Sequence, residues 1–165
     1  MIWVFNSTPL IYLCKSNLGW IFEELEGEKF IPKTVYFEVV VKGKERGDVD
    51  SFVVEDLIDR GVIEVVEVEA KSLLKYVREL HAGEIEVLKL AKEKNGIATI
   101  DDSIAREIGE ILGIKVHGSL YLIFLMLKKG KINRKVAEDK IKVMIRKGFR
   151  ISTEVYSEFL RLLEN

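Results

Sequence analysis

Apolar and polar positions along the chain fall into short blocks of two kinds. Ile2 to Phe5, Lys29 to Ile31, Ile97 to Ile100 and Ile114 to Val116 are brief β-branched, aliphatic or aromatic runs bounded by Gly, Pro, Asn or Asp, and they read as buried strands. Between them, apolar residues recur at helical spacing: Leu10, Ile11, Leu13 and Cys14, then Leu18 to Leu25, then Val87, Leu88, Leu90 and Ala91, then Ile104, Ile108, Ile111 and Leu112. The segment from Thr34 to Val41 is rich in β-formers, so strand and helix both fit, and the Pro32 opening favours helix.

Capping and stop residues sharpen these elements. Ser7 or Thr8, with Pro9 at the first helical position, is expected to start the first helix, and Pro32 to open a later one in the same way. Lys42 to Gly47 reads as a polar loop, Asp48 or Asp50 as the cap of a helix ending at Gly61, and Val62 to Val68 as an edge strand. Ala70 to Leu80 is expected to be an amphipathic helix, followed by another that opens at Leu80 to Glu86 and ends at Asn95-Gly96. His117-Gly118-Ser119 reads as a turn with His117 as a loop residue. Leu120 to Leu127, Asn133 to Ile145 and Val155 to Leu163 read as the closing helices, the last capped by Ser152 or Thr153. Strands alternating with helices predict an α/β fold, a mostly parallel central sheet with helices on both faces. One domain over residues 1–165 is expected, with 133–165 as C-terminal helices packed on it.

Composition changes this picture little. With 26 basic and 27 acidic residues the formal net charge is -1, so gross charge points to neither nucleic acid nor membrane. The charge is uneven, however. Lys128 to Arg150 holds ten basic residues against Glu138 and Asp139, and Lys140, Lys142, Arg146 and Lys147 are its candidates for contact with a phosphate backbone. The single Cys14 excludes a disulfide framework and a thiolate cluster. The longest apolar run, Leu120 to Leu127, is too short to span a bilayer, and Met1 to Phe5 lacks a basic leader, so a cytoplasmic protein is expected. The absence of Gln beside heavy use of Lys, Glu, Ile and Val has a thermophilic flavour.

The chemistry sits where strands end. Ile97 to Ile100 runs into Asp101-Asp102, and carboxylates at the carboxyl end of a buried strand stand where open α/β sheets place their ligands. Asp is also a favoured helix cap, so a structural reading of one of the pair stays open. Asn6 follows the first strand and Glu38 the second. Glu84 lies in a helical first turn, where the dipole favours an acid for reasons unconnected with function. Glu38 is the one charge between Val35 and Val41, and a buried carboxylate there would cost several kcal/mol or titrate to neutral unless it faced solvent or a partner. Carboxylates gathered from separate segments repel, and a hard cation such as Mg²⁺ or Mn²⁺ is the usual counterweight. Zinc is disfavoured for want of a Cys/His cluster, and neither a phosphate-cradling Gly-rich loop nor a nucleophile elbow is present.

Read together, several motifs resemble the PIN-domain nucleases, in particular a prokaryotic branch of small VapC-like proteins often of unassigned function. They are Asn6-Ser7-Thr8-Pro9-Leu10-Ile11, Ile31-Pro32-Lys33-Thr34-Val35-Tyr36-Phe37-Glu38-Val39, Gly83-Glu84-Ile85-Glu86 and Thr99-Ile100-Asp101-Asp102, with Arg106, Gly113, Gly118-Ser119-Leu120 and Gly148-Phe149-Arg150-Ile151-Ser152. The resemblance implies a three-layer PIN-like fold and single-stranded RNA cleavage by a water activated at an acidic Mg²⁺ or Mn²⁺ site. Glu38, Glu84 and Asp101 match the family's catalytic acids. Asn6, Glu38, Glu84, Asp101 and Asp102 are its implied metal-ligand set, with Ser7, Thr99 and Arg106 in support. The same resemblance makes an antitoxin protein and a second copy of the chain expected partners. Asn6 departs from the pattern, since the family usually carries Asp after the first strand, and an amide lowers the site's negative charge. A catalytically weakened protein on the same fold, binding RNA or a protein, is therefore the alternative expectation. A phosphatase-type or nucleotide-binding α/β enzyme is a third.

Overall fold

The computed structural model describes residues 1–69 and 77–164. Five short strands form one parallel sheet in the order β3-β2-β1-β4-β5: β1 (Ile2–Phe5), β2 (Glu28–Pro32), β3 (Glu64–Val66), β4 (Ile97–Thr99) and β5 (Lys115–His117). All four pairings are parallel, and the expected edge strand is β3. β1 and β4 are the central pair. Their side chains Trp3, Val4, Phe5, Ile97 and Ala98 are buried, as a parallel sheet covered on both faces requires.

The chain leaves β1 in one direction along the sheet and returns in the other. Helices α1 (Ser7–Lys15) and α2 (Ile21–Glu24) join β1 to β2. Helix α3 (Lys33–Tyr36), a π-helical segment (Phe37–Val41), α4 (Lys42–Arg46) and α5 (Val49–Asp59) join β2 to β3. The next connection contains α6 (Ala82–Lys94), which crosses back over β2 and β1 to reach β4, and α7 (Ser103–Ile111) leads on to β5. Right-handed crossovers put α1 to α5 on one face and α6 and α7 on the other. The packing agrees, because α1 lies against α5 while Leu88 of α6 meets Gly109 of α7. Helices α8 (Ser119–Lys128) and α9 (Arg134–Arg146) pack beside α1, and α10 (Thr153–Glu164) closes the chain, with Phe159 and Leu163 in the core. Buried side chains from all these layers form one contiguous cluster.

The structure corrects several local expectations. Asn6, in extended backbone, is the N-cap of α1, so Ser7 is already helical and Pro9 sits third in the helix, where a missing N–H still costs no bond. Pro32 ends β2 as the extended residue before α3 instead of opening the helix. Only Ile21–Glu24 of the expected Leu18 to Leu25 helix is helical, because Asn17 turns the chain at φ 57°. The strand expected over Val62 to Val68 spans only Glu64–Val66. Lys42 to Arg46 is a helix, not a loop. Gly43 lets it close on α5, since a Cβ there would stand 2.8 Å from that of Ser51, and Gly47 ends it at φ 77°. His117 belongs to β5. The helix expected over Ala70 to Leu80 falls largely outside the described residues, and Val77 to Leu80 forms a turn. No described helix is long and apolar enough to cross a membrane.

Helix α7 approaches the sheet closely enough to exclude a side chain. A Cβ on Gly109 would lie 2.5 Å from Val116 Cγ2 and 3.0 Å from Leu88 Cδ2. Gly109→Ala is expected to destabilise the fold by about 1–3 kcal/mol through overpacking, beyond the helix propensity it gains. Urea unfolding of both forms measures it. An Ala variant as stable as the wild type would show that α7 can move away freely.

Candidate metal and nucleic-acid site

The reversal of chain direction falls between β1 and β4, and open α/β sheets bind ligands at the carboxyl ends flanking such a reversal. Phe5, Thr99 and His117 stand in one register row across β1, β4 and β5. The pairing runs one step further, since Asn6 N–H donates to Thr99 O at 3.0 Å and Ile100 N–H to His117 O at 2.9 Å. Asn6, Asp101 and Gly118 are thus released side by side at one edge. Helices α1, α7 and α8 all begin there, aiming their free N–H groups and positive dipole ends at the same place.

Each acid is held by its own donor. Asp101 accepts two hydrogen bonds from Ser119, 2.7 Å from its N–H and 2.6 Å from its Oγ. Gly118 makes this possible, because a Cβ there would stand 2.8 Å from Asp101 Oδ1. Burial pushes the Asp101 carboxyl above its ordinary value, against the pull of both Ser119 bonds and the nearby Arg106. Asp102 caps α7 by accepting the Ala105 N–H at 2.9 Å, so the structural reading of one member of the pair is realised in Asp102. Glu84 and His81 form a capping box at the start of α6, in which Glu84 Oε2 accepts the His81 N–H at 2.9 Å. Glu84 is only 7% exposed, and burial, with the charges of Asp102 and Glu38, drives its carboxyl above the ordinary range against that hydrogen bond.

Glu38 corrects the expectation of a carboxylate in an apolar setting. It is exposed, while Val39 and Val40 are buried. The π-helical segment widens the turn, and so aims Glu38 away from the apolar stripe and toward the start of α1. There Ser7 Oγ donates to Glu38 Oε2 at 2.8 Å, tying the segment to the end of β1. Asn6 is 8% exposed, and its Oδ1 faces Gly83, where a Cβ would stand 3.4 Å away. Glu86 turns elsewhere and accepts from Thr34.

Asn6, Ser7, Glu38, Glu84 and Asp102 are brought into one neighbourhood by the Ser7–Glu38 bond, the Gly83–Asn6 contact and the mutual charges of the acids. Asp101 shares their sheet edge, yet its carboxylate is turned onto α8. Among the described residues, no three His, Cys, Asp or Glu side chains stand close enough together to hold a metal ion. The donor set is nonetheless all oxygen and crowded with like charge. That suits a hard cation taking one or two carboxylates and keeping several waters. Thr99 Oγ1 is buried beneath this edge without a protein partner, as is Arg106 Nε.

Four residues matter to which sequence reasoning gave no site role: His81, and Gly83, Gly118 and Ser119, which it quoted only as parts of motifs. A Gly-Ser pair between a strand and a helix was the available signal for the last two, and a residue three before Glu84 for the first. Of the basic candidates on α9, Lys140 is committed to the fold by a 2.9 Å bond to Ser16 O, while Lys142, Arg146 and Lys147 are exposed.

Because the folded state raises Glu84's pKa, this group favours folding most below the unfolded carboxylate range, and that contribution is lost as pH rises through the folded value. Glu84→Gln keeps an acceptor for His81 and removes the charge. In EDTA at neutral pH the variant is expected to melt roughly 2–4 °C above wild type, the response of a chain this long to about 1 kcal/mol. The gap should close in acid. Thermal melts across pH decide it, and a variant no more stable at neutral pH would show that Glu84 carries no such strain.

No curated protein matches the chain. Among solved structures it is similar to a domain of a functionally unknown protein from Methanocaldococcus jannaschii DSM 2661, at 19% identity and a TM-score of 0.46, over 71% of this chain and 89% of that one. Residues 2–165 match DUF3368, a PIN-domain family, and the chain therefore belongs to the PIN-domain family, whose fold is of the nuclease type.

Proposed function

We propose that the protein is a divalent-metal-dependent endoribonuclease acting on single-stranded RNA, with the toxin of a toxin–antitoxin pair as its physiological setting. The observation that carries the reading is a carboxyl, Glu84, buried at the sheet's reversal point with Asp102 and Glu38 near it: burial above all, and then their charges, raise its pKa. Burying that charge costs the fold, against the helix-capping bonds that Glu84 and Asp102 make. A cation would relieve it.

Asn6, Glu84 and Asp102 are the residues that would hold Mg²⁺ or Mn²⁺, with Glu38 at the rim. When bound, such an ion supplies a more acidic water and neutralises phosphoryl charge. The chain's own residues do the rest. His81 and Ser7 hold Glu84 and Glu38 in place, Asn6 contributes a neutral oxygen, and Arg106 offers positive charge beside Asp101 for the scissile phosphate.

A second reading has a specific observation behind it. Asn6 replaces a charge, and no three acids group tightly among the described residues, which favours a PIN fold that binds RNA without cutting it. Cleavage of an unstructured RNA titrated against Mn²⁺ separates the two. Cleavage is expected to require the ion, and Glu84→Gln to lower it by about 100-fold or more, at least the loss typical of outer-shell partners. Asn6→Asp should reduce the Mn²⁺ needed by roughly 30-fold, the effect of about 2 kcal/mol for one charge facing a divalent ion at 4 Å in water. Binding without cleavage, unchanged by Asn6→Asp, would establish the second reading.

The basic end of α9 provides a separate measurement. Replacing Lys142, Arg146 and Lys147 with Gln is expected to flatten the dependence of RNA affinity on salt by a slope of about 2–3, near 0.7 for each phosphate no longer neutralised. An unchanged slope would make that face a solubility feature only.

A further inference from the structure

Beside the acids lies a cavity of about 910 Å³, walled by α7, α8, α10 and the Phe149 to Ser152 segment, that adjoins the proposed metal site and shares Asp102 and Arg106 with it. Asp101 and Asp102 form its near edge. We propose that it is a nucleobase subsite, receiving one base of the RNA next to the scissile phosphate, with Tyr121 as the stacking residue and Arg106 and Arg150 on the backbone. The inference rests on the RNA reading above but not on cleavage.

Three observations support it. His117 and Tyr121 line the cavity and stack on one another, with ring centroids 3.6 Å apart and planes within 10°. Burial and the neighbouring Lys115 and Arg106 lower the His117 pKa, which favours the uncharged imidazole against the Tyr121 ring, and Phe124 lines the same cavity. Stacking on aromatic side chains is how single-stranded nucleic acid is gripped without a sequence code. Arg106 also lines the cavity, and its Nε–H is buried without a partner in the protein, so its guanidinium has hydrogen-bonding capacity that the fold does not spend. Finally, a second guanidinium, Arg150, lies in the wall, a few residues along the chain from the exposed Arg146 and Lys147.

Four acids also line the wall: Glu154 and Glu158 on the α10 side, with Glu158 paired to Arg161, and Asp101 and Asp102 at the near edge beside Arg106. The phosphodiester is placed against Arg106 and Arg150, the two guanidinium groups of the lining, with its base turned inward. The volume suits this occupant, since pockets of about 300–1,000 Å³ hold ligands of nucleotide size.

The test is fluorescence anisotropy of a fluorescein-labelled single-stranded oligouridine in EDTA, against the same backbone carrying abasic sites. Tyr121→Leu keeps apolar bulk while removing the aromatic face, and Tyr121→Phe keeps the face. The Leu variant is expected to bind the intact strand roughly 5- to 150-fold more weakly, the range of about 1–3 kcal/mol per stacked base, and the Phe variant within about twofold of wild type. Wild type should bind the abasic strand as weakly as the Leu variant binds the intact one. A Leu variant that melts like wild type and binds undiminished would overturn the proposal, as would equal losses on both strands. If Tyr121→Leu instead changed the sedimentation of the protein alone and left RNA affinity intact, the cavity would be a protein interface. Base-dependent binding without metal-dependent cleavage would sink the nuclease reading and leave the subsite standing. Cleavage with Tyr121-independent binding would do the reverse.

Discussion

Everything at the candidate site depends on β1 and β4 being neighbours while the chain departs from β1 toward one edge of the sheet and from β4 toward the other. Connections to either side cannot cover the gap between them, so a crevice opens above their carboxyl ends. Three helices begin around it, and each brings unpaired N–H groups and a partial positive charge. This is why so many acids can stand together. Asp102 spends its charge on the first turn of α7, Asp101 on that of α8, and Glu84 on that of α6. Without those donors the like charges would be destabilising by the same Coulombic terms that draw in a cation.

Anchoring each carboxylate separately also explains why three of them do not form a ready-made cage. A group fixed by two short bonds, as Asp101 is by Ser119, can serve a ligand only with lone pairs those bonds leave free, or by giving one of them up. Glu38 is the opposite case, exposed, tied by one hydroxyl and carried on the π-helical segment. The site therefore combines carboxylates held by backbone donors of α7 and α8 with one on the π segment that keeps most of its lone pairs free. Asn6 lies on the strand end between them, where an amide adds an oxygen without adding to the repulsion.

Much of this was readable from the residues because the strands are short, buried and sharply bounded. The apolar blocks at Ile2 to Phe5 and Ile97 to Ile100 needed no tertiary information, and their alternation with helices implied a mostly parallel sheet, which is parallel at all four pairings. What escaped was whatever a distant segment decides. Lys42 to Arg46 has a loop's composition, and is a helix because Gly43 closes on Ser51 of α5. Glu38 looked buried because its neighbours are valines at α-helical spacing. An i→i+5 turn shifts that spacing, and periodicity cannot announce a π segment. Likewise nothing local said that Asp101 would turn onto Ser119, eighteen residues on, while Asp102 took the cap.

Two glycines show how closely the polar atoms are held. At Gly118 a methyl group would displace the Asp101 carboxylate outright, so this carboxylate and the turn into α8 are one unit. At Gly83 the same methyl would meet the Asn6 amide oxygen at ordinary van der Waals distance. The fold would tolerate it there, but the space beside that oxygen would be filled. Gly118 is thus explained by the architecture alone. Gly83 instead leaves open the space beside the Asn6 amide oxygen, next to the acids Glu84, Asp102 and Glu38.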